Sequence, residues 1–388
     1  MDEIWLRLKE REKLWKIYFK RKKSVSQLGP RRLGKTFLMH RIEEDAVKEG
    51  FNTVFINLEG LITIEGVIQA IADAVINSEG LSGYIGSFKA SLISIIKGKT
   101  DISQEFLDGL KNQDPFAVLK ISLKKDWGAV LEQLLATINQ AEKPTILLVD
   151  ELSVCLLAIL ERDASKGGEF LYTLRNLRQK YPSVIWMITG SIGINHIAEQ
   201  YNIEGALNDL NAFELKPLKS EQAKALLHDL CKERDIELAS DKNAEYFIES
   251  LGWLSPHYLI KLLDSAEEIL IDKGSSELDV NIITMACENL LSYPANRIFN
   301  NWLEHINKNY PQTKRTLAIK LLNELSENSK GSSINTLITS ANLKDTPEEA
   351  IANVLKLLIQ DGYLLETDNN YYFMFSLLRE YWQKQKIT

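Results

Sequence analysis

The pattern of apolar and polar positions changes character partway along the chain. Through about residue 218, short apolar runs alternate with stretches of helical period, as expected of parallel strands joined by crossover helices. The expected strands are residues 24–28, 53–57 (TVFIN), 145–149 (TILLV), 184–189 (VIWMIT) and 212–215. A mostly helical insertion, 80–128, separates the second from the third. Beyond Leu218 the strand signal stops, and 219–292 reads as helices only. From about residue 293 the rhythm shifts again. Helices are expected at 312–328, 333–341 and 347–360, followed by a hairpin, GYLLETDNNYYFMF, turning at Asp368, Asn369 and Asn370. Three helices and then a hairpin is the order of a winged helix. The expected fold class is therefore α/β: a parallel sheet with helices on both faces over 1–218, a helical lid over 219–292 and a winged helix over 293–388.

Composition narrows the setting. With 388 residues, 45% apolar and 26% charged, the chain has the make-up of a soluble globular protein with room for two or three domains. A formal charge of −7 argues against a protein that coats nucleic acid non-specifically. Cys155, Cys231 and Cys287 are isolated, so neither a zinc site nor a disulfide framework is expected. There is no apolar run of membrane-spanning length, and the start, MDEIWLRLKEREK, is too charged for a signal peptide. The expectation is a cytoplasmic protein with no membrane partner.

The chemistry concentrates in two motifs. Gly29-Pro30-Arg31-Arg32-Leu33-Gly34-Lys35-Thr36 fits G-x-x-x-x-G-K-[ST], with a β-prone segment before it and a helix after it. Glycines let the backbone wrap phosphates, and the helix N-terminus adds a favourable dipole. Lys35 is placed to reach the β- and γ-phosphates of ATP or GTP, and Thr36 to hold Mg²⁺. About 115 residues downstream, TILLVDELS ends an apolar strand in an acidic pair. Asp150 is the candidate for the Mg²⁺ shell and Glu151 for orienting or deprotonating the attacking water. In nucleotide-binding folds with such a pair, the next strand usually inserts between the phosphate-loop strand and the acidic strand. That makes Thr189 and Ser191 of VIWMITGSIG candidate phosphate sensors, against the plainer reading of a Gly-Ser turn after a buried strand. The first strand, SVSQL, is more polar than a central parallel strand should be.

GPRRLGKT, LLVDEL, TGSIGI, FELKPLKSEQAKALL, the turn at 252–256 and the closing QDGYLLETDNNYYFMFSLLREYW together resemble the archaeal-type P-loop ATPases among the signal-transduction ATPases with numerous domains. These are relatives of the AAA+ and origin-recognition ATPases. The resemblance covers most of the chain. It implies that Glu10-Arg11-Glu12 helps form an adenine pocket, that Pro256 packs on the base and that His257 reaches a phosphate, the plainer reading of His257 being a partly buried polar residue. It also supplies the arginine pair, since GxRRxGKT is the habitual form of the loop. Whether Arg31 and Arg32 bridge the γ-phosphate to the lid or form only surface ion pairs stays open at this stage. Ser153 stands where members often carry proline.

Ring-forming relatives supply an arginine finger from a neighbouring subunit, but residues 191–215 contain no Lys or Arg. Such a finger is worth on the order of 10³–10⁵ in rate. Slow hydrolysis and a switch are therefore expected, acting on a protein partner or a second copy of the chain, unless Arg175 or Arg178 replaces the finger. The alternative is an ATP-dependent regulator that binds DNA through the winged helix. The helix that would enter the major groove carries Glu348, Glu349 and Asp361 against Lys356 alone, and residues 301–388 hold ten basic and ten acidic side chains. DNA binding is accordingly disfavoured.

Overall fold

The computed structural model describes residues 6–99, 104–190 and 193–385. By contact the chain divides into two compact units. One comprises Arg7–Leu28 and Lys35–Leu215; the other comprises the chain start, Gly29–Gly34 and Lys216–Thr388. The phosphate-loop residues thus group with the C-terminal half.

The first unit is built on five strands: β1 (Val25–Leu28), β2 (Asn52–Asn57), β3 (Thr145–Asp150), β4 (Val184–Ile188) and β5 (Asn211–Glu214). They pair all-parallel in the order β2-β3-β4-β1-β5. Every residue of β3 and β4 is buried, which is why both read as unbroken apolar runs. As expected, β4 inserts between β1 and β3, with Val149 opposite Ile188. The polar residue just ahead of β1 is accommodated by backbone partners, whereas within the strand the buried Gln27 side-chain amide has none among the described residues. Ser24 Oγ accepts the Trp186 N–H at 3.0 Å, and the Ser24 carbonyl accepts the Asn211 N–H at 3.0 Å.

The insertion joins this unit's core. Helices Ile85–Lys99 and Pro115–Lys125 contribute Leu92, Ile96, Val118 and Leu119, all fully buried, to the same cluster as Val149 and Trp186. Asp114 starts the second of these helices by accepting the Phe116 N–H, with Pro115 in the first turn.

The C-terminal unit opens with helices Ser220–Glu233, Asp241–Leu251, Pro256–Lys273 and Val280–Leu290. A two-residue parallel bridge, Glu237–Leu238 with Glu277–Leu278, joins them. Two residues carry no period, so this bridge left no trace in the pattern. The tail runs through helices Asn300–Asn309, Gln312–Glu327, Ile334–Ser340 and Glu348–Gln360, a hairpin of Leu364–Thr367 with Asn370–Phe373, and a closing helix, Ser376–Gln385. Ser332–Ser333 adds a third short strand beside Asn370–Phe373. The hairpin turns on Asp368 (φ 52°) and Asn369 (φ 60°), the two positive φ values that a primed two-residue turn requires, and Asn370 already pairs in the strand. Aromatic packing ties these pieces together. Tyr258 stacks on Phe299 (centroids 5.7 Å), Trp253 on Phe375 (5.3 Å), and the Tyr363 hydroxyl donates to the Trp302 carbonyl at 2.6 Å. Pairs of this kind contribute about 0.5–1.5 kcal/mol each beyond their buried area.

Candidate functional site

The loop's two glycines stand where only glycine is comfortable: Gly29 has φ 137° and Gly34 φ 85°. Arg32, at φ 67°, adopts the left-handed region without that freedom, at a cost of about 1 kcal/mol or more. Its carbonyl accepts the Ser255 hydroxyl at 2.5 Å. Ser255 is fully buried and precedes Pro256, the first residue of helix Pro256–Lys273. A serine there would ordinarily accept an N–H of the helix's first turn. This one makes no capping bond and turns its hydroxyl to the loop instead. Arg31 Nη1 donates to the Asn301 carbonyl at 3.2 Å. Pro30 lies against Gly362, where an added Cβ would meet the proline's Cβ at 2.4 Å. The two arginines therefore act differently: Arg31 reaches the C-terminal unit with its side chain, Arg32 with its backbone.

In the first unit, Thr36 Oγ1 donates to Asp150 Oδ2 at 2.6 Å, and the Glu151 N–H donates to Asp150 Oδ1 at 2.9 Å. Asp150 is 6% exposed at the end of β3. Glu151 follows at φ 57° and starts helix Leu152–Arg162. The end of β4 is fastened to the same corner: Thr189 N–H donates to the Val149 carbonyl (2.9 Å) and Leu152 N–H to the Thr189 carbonyl (3.1 Å). A Cβ on Gly190 would fall 1.8 Å from Ser153 Oγ, so Gly190 must lack one. Gly190→Ala is expected to destabilise the fold by about 1–3 kcal/mol, the usual cost of overpacking. Chemical denaturation measures it, and a change under 0.5 kcal/mol would contradict this packing. Thr189 is buried and directs its hydroxyl to the Gln27 carbonyl of β1 at 3.5 Å. Ser191, the other candidate sensor, lies outside the described residues.

Thr36 and Asp150 offer two converging oxygens, the donor type a hard divalent cation takes, with remaining positions left to water and phosphate. The donor set thus fits Mg²⁺. Lys35, 8% exposed, is the first residue of helix Lys35–Glu49.

Two other basic residues have structural posts. Arg178 forms a two-pronged ion pair with Asp209 (2.7 and 2.8 Å) and also donates to the Ala206 carbonyl, with its side chain 2% exposed. Arg11 pairs with Asp45 on the helix that follows the loop, its Nε at 2.8 Å. His257 is held neutral. Burial first, then Arg32 and Lys261, push its imidazole down to about 4, against the opposing pull of Asp264. The unfolded chain takes up that proton near the ordinary value of about 6.5. Stability is therefore complete above that pH and falls as pH drops from there towards about 4. His257→Gln should flatten this part of a stability–pH curve; an unchanged slope would exclude His257 as its source.

The residues that sequence reasoning missed are the fasteners of the loop. Ser255 before a proline reads as an ordinary helix start, Asn301 contributes a backbone carbonyl that no side chain advertises, and Gly362 reads as a turn.

Among solved structures, the chain is similar to the Walker-type ATPase of Pyrococcus abyssi, with a TM-score of 0.66 at 17% identity over 97% of this chain and 95% of that one. It is also similar to the ORC2 protein of Aeropyrum pernix in its ADPNP–ADP complexes, with a TM-score of 0.58 at 13% identity over 98% and 95%. The ADP form of that protein gives 0.50 at 14% identity over 99% and 95%. The likeness is one of fold: a P-loop nucleoside-triphosphatase sheet with flanking helices, continued by a helical C-terminal region. No family model matches the sequence, and no curated protein matches it.

Proposed function

We propose that this protein is a Mg²⁺-dependent ATP-binding switch of the signal-transduction type, hydrolysing slowly and passing its nucleotide state to a protein partner or a second copy through the lid and winged helix. The single observation that carries this reading is the fastening of the phosphate loop to the C-terminal unit through Ser255, Asn301 and Gly362. A loop that must rearrange its backbone around phosphates cannot do so without moving those three partners. The nucleotide would be held by the loop backbone and Lys35, with Thr36 and Asp150 placing Mg²⁺. That ion, when bound, neutralises charge on the phosphate oxygens. Glu151 would orient and deprotonate the attacking water.

Slow turnover is supported by the absence of Lys and Arg from 191–215 and by the engagement of Arg178 with Asp209. ATP is preferred to GTP in this proposal on the family resemblance of the motifs. The DNA-binding alternative gains no specific support. The outward side of helix Glu348–Gln360 begins with two exposed glutamates, and among the described residues no helix is long and apolar enough to cross a membrane.

Two substitutions test the coupling. Gly362→Ala forces a side chain against Pro30 at a backbone with φ 82°, and Ser255→Ala removes a hydroxyl without crowding anything. Each should cost about 1–3 kcal/mol of stability and speed release of a fluorescent ADP analogue several-fold. Release at the unmodified rate in both variants would mean the C-terminal unit does not read the loop.

A further inference from the structure

A cavity of about 440 Å³ opens in the tail beside helices Gln312–Glu327 and Glu348–Gln360 and the connection ahead of the second. Its floor is apolar: Leu317, Leu343, Ala350 and Val354. Lys314 and Lys320 also line it, and the remaining lining groups are neutral hydroxyls and one amide. Asp345, Glu348 and Glu349 are near in sequence, yet no carboxylate contributes to the lining. Neither lysine has an ion-pair partner among the described residues. In a chain of net charge −7, a cavity lined by two ammonium groups and no acid is locally inverted in sign.

The volume lies within the range of small-molecule sites, about 300–1,000 Å³, and such sites combine an apolar lining with a few polar anchors. At about 30 Å³ per water-sized unit, it would accept a ligand of roughly a dozen to fifteen heavy atoms. A purely apolar ligand would leave both ammonium groups unanswered, and a cationic one would be repelled. An anion carried on a short apolar body satisfies both parts of the lining. Leu317 lies three residues after Lys314 and three before Lys320, so each lysine is the helical neighbour of an apolar lining residue.

We propose that this cavity is a binding site for a small anionic amphiphile, a carboxylate or comparable anion on an apolar body, with Lys314 and Lys320 holding the anion. It rests on no property of the phosphate loop. The test is calorimetric titration of the full chain at low salt with decanoate, decyltrimethylammonium and 1-decanol, which share a tail and differ in charge. Decanoate should bind saturably, one per chain, with Kd at or below roughly 1 mM, the strength expected for a ligand of this size. Decanol should bind about tenfold more weakly and the ammonium not at all. Lys314→Glu combined with Lys320→Glu should weaken decanoate about tenfold or more, and Ala350→Trp should fill the floor and abolish binding. A cooperative thermal melt and a far-UV circular dichroism spectrum like those of the unmodified protein show that these variants remain folded. Equal binding of decanoate and the ammonium, survival of decanoate binding in both variants, or no saturable binding at all would overturn the proposal.

Discussion

Lys35→Ala is expected to abolish the stabilisation that ATP and Mg²⁺ confer on this protein. A ligand that binds only the folded state at 100 times its dissociation constant adds about 2.7 kcal/mol, a shift any thermal melt resolves. The lysine is the first residue of the helix behind the loop and is buried. The glycines that shape the loop are untouched by the substitution, and the variant should therefore melt at the unliganded temperature with or without nucleotide. A shift of unmodified size in Lys35→Ala would remove the loop from the account of binding.

The second large effect concerns turnover. Glu151 follows Asp150, whose two oxygens are engaged by the Thr36 hydroxyl and by the Glu151 N–H itself. In the proposed reading Asp150 belongs to the corner that would place Mg²⁺, and Glu151 is the neighbouring carboxylate that would orient the water. Positioned general bases contribute about 10²–10⁴-fold. Glu151→Gln should lose that factor in single-turnover hydrolysis while keeping the nucleotide-dependent melting shift. Turnover within threefold of the unmodified protein would show that another group activates the water.

Much of this arrangement is legible in the residues because two physical demands leave strong patterns. Strands buried on both faces must be apolar throughout, as TILLV and VIWMI are, and a backbone that wraps phosphate needs glycine at fixed spacing, as Gly29 and Gly34 show. The placement of β4 between β1 and β3 follows from the same motif order. Ser24, just ahead of β1, looks anomalous in the sequence because its partners, the N–H groups of Trp186 and Asn211, are more than 160 residues away along the chain. The loop's fasteners are illegible for a related reason. A hydroxyl diverted from its own helix, a backbone carbonyl and a glycine without room for a methyl group have no periodicity and no motif. The two-residue strands at Glu237–Leu238 and Ser332–Ser333 are too short to alternate.

The arginine pair shows the limit in one place. The sequence leaves open whether the two side chains reach beyond the loop or form only surface ion pairs, and Arg31 donates to the Asn301 carbonyl. Arg32 instead contributes its carbonyl, made available by a left-handed backbone whose cost the Ser255 bond offsets. Arg31 and Arg32 are thus equivalent as sequence letters and different as parts.

In the proposed switch the C-terminal unit reads nucleotide at the loop, and hydrogen exchange on the full chain decides whether it does. With Mg²⁺ and a non-hydrolysable ATP analogue, protection should change at residues 29–34 and, together with them, in the segments around Ser255, Asn301 and Gly362, whereas ADP should give a different pattern at those same three places. A change confined to the loop and to the Thr36–Asp150 corner, identical for the ATP analogue and ADP, would contradict the account.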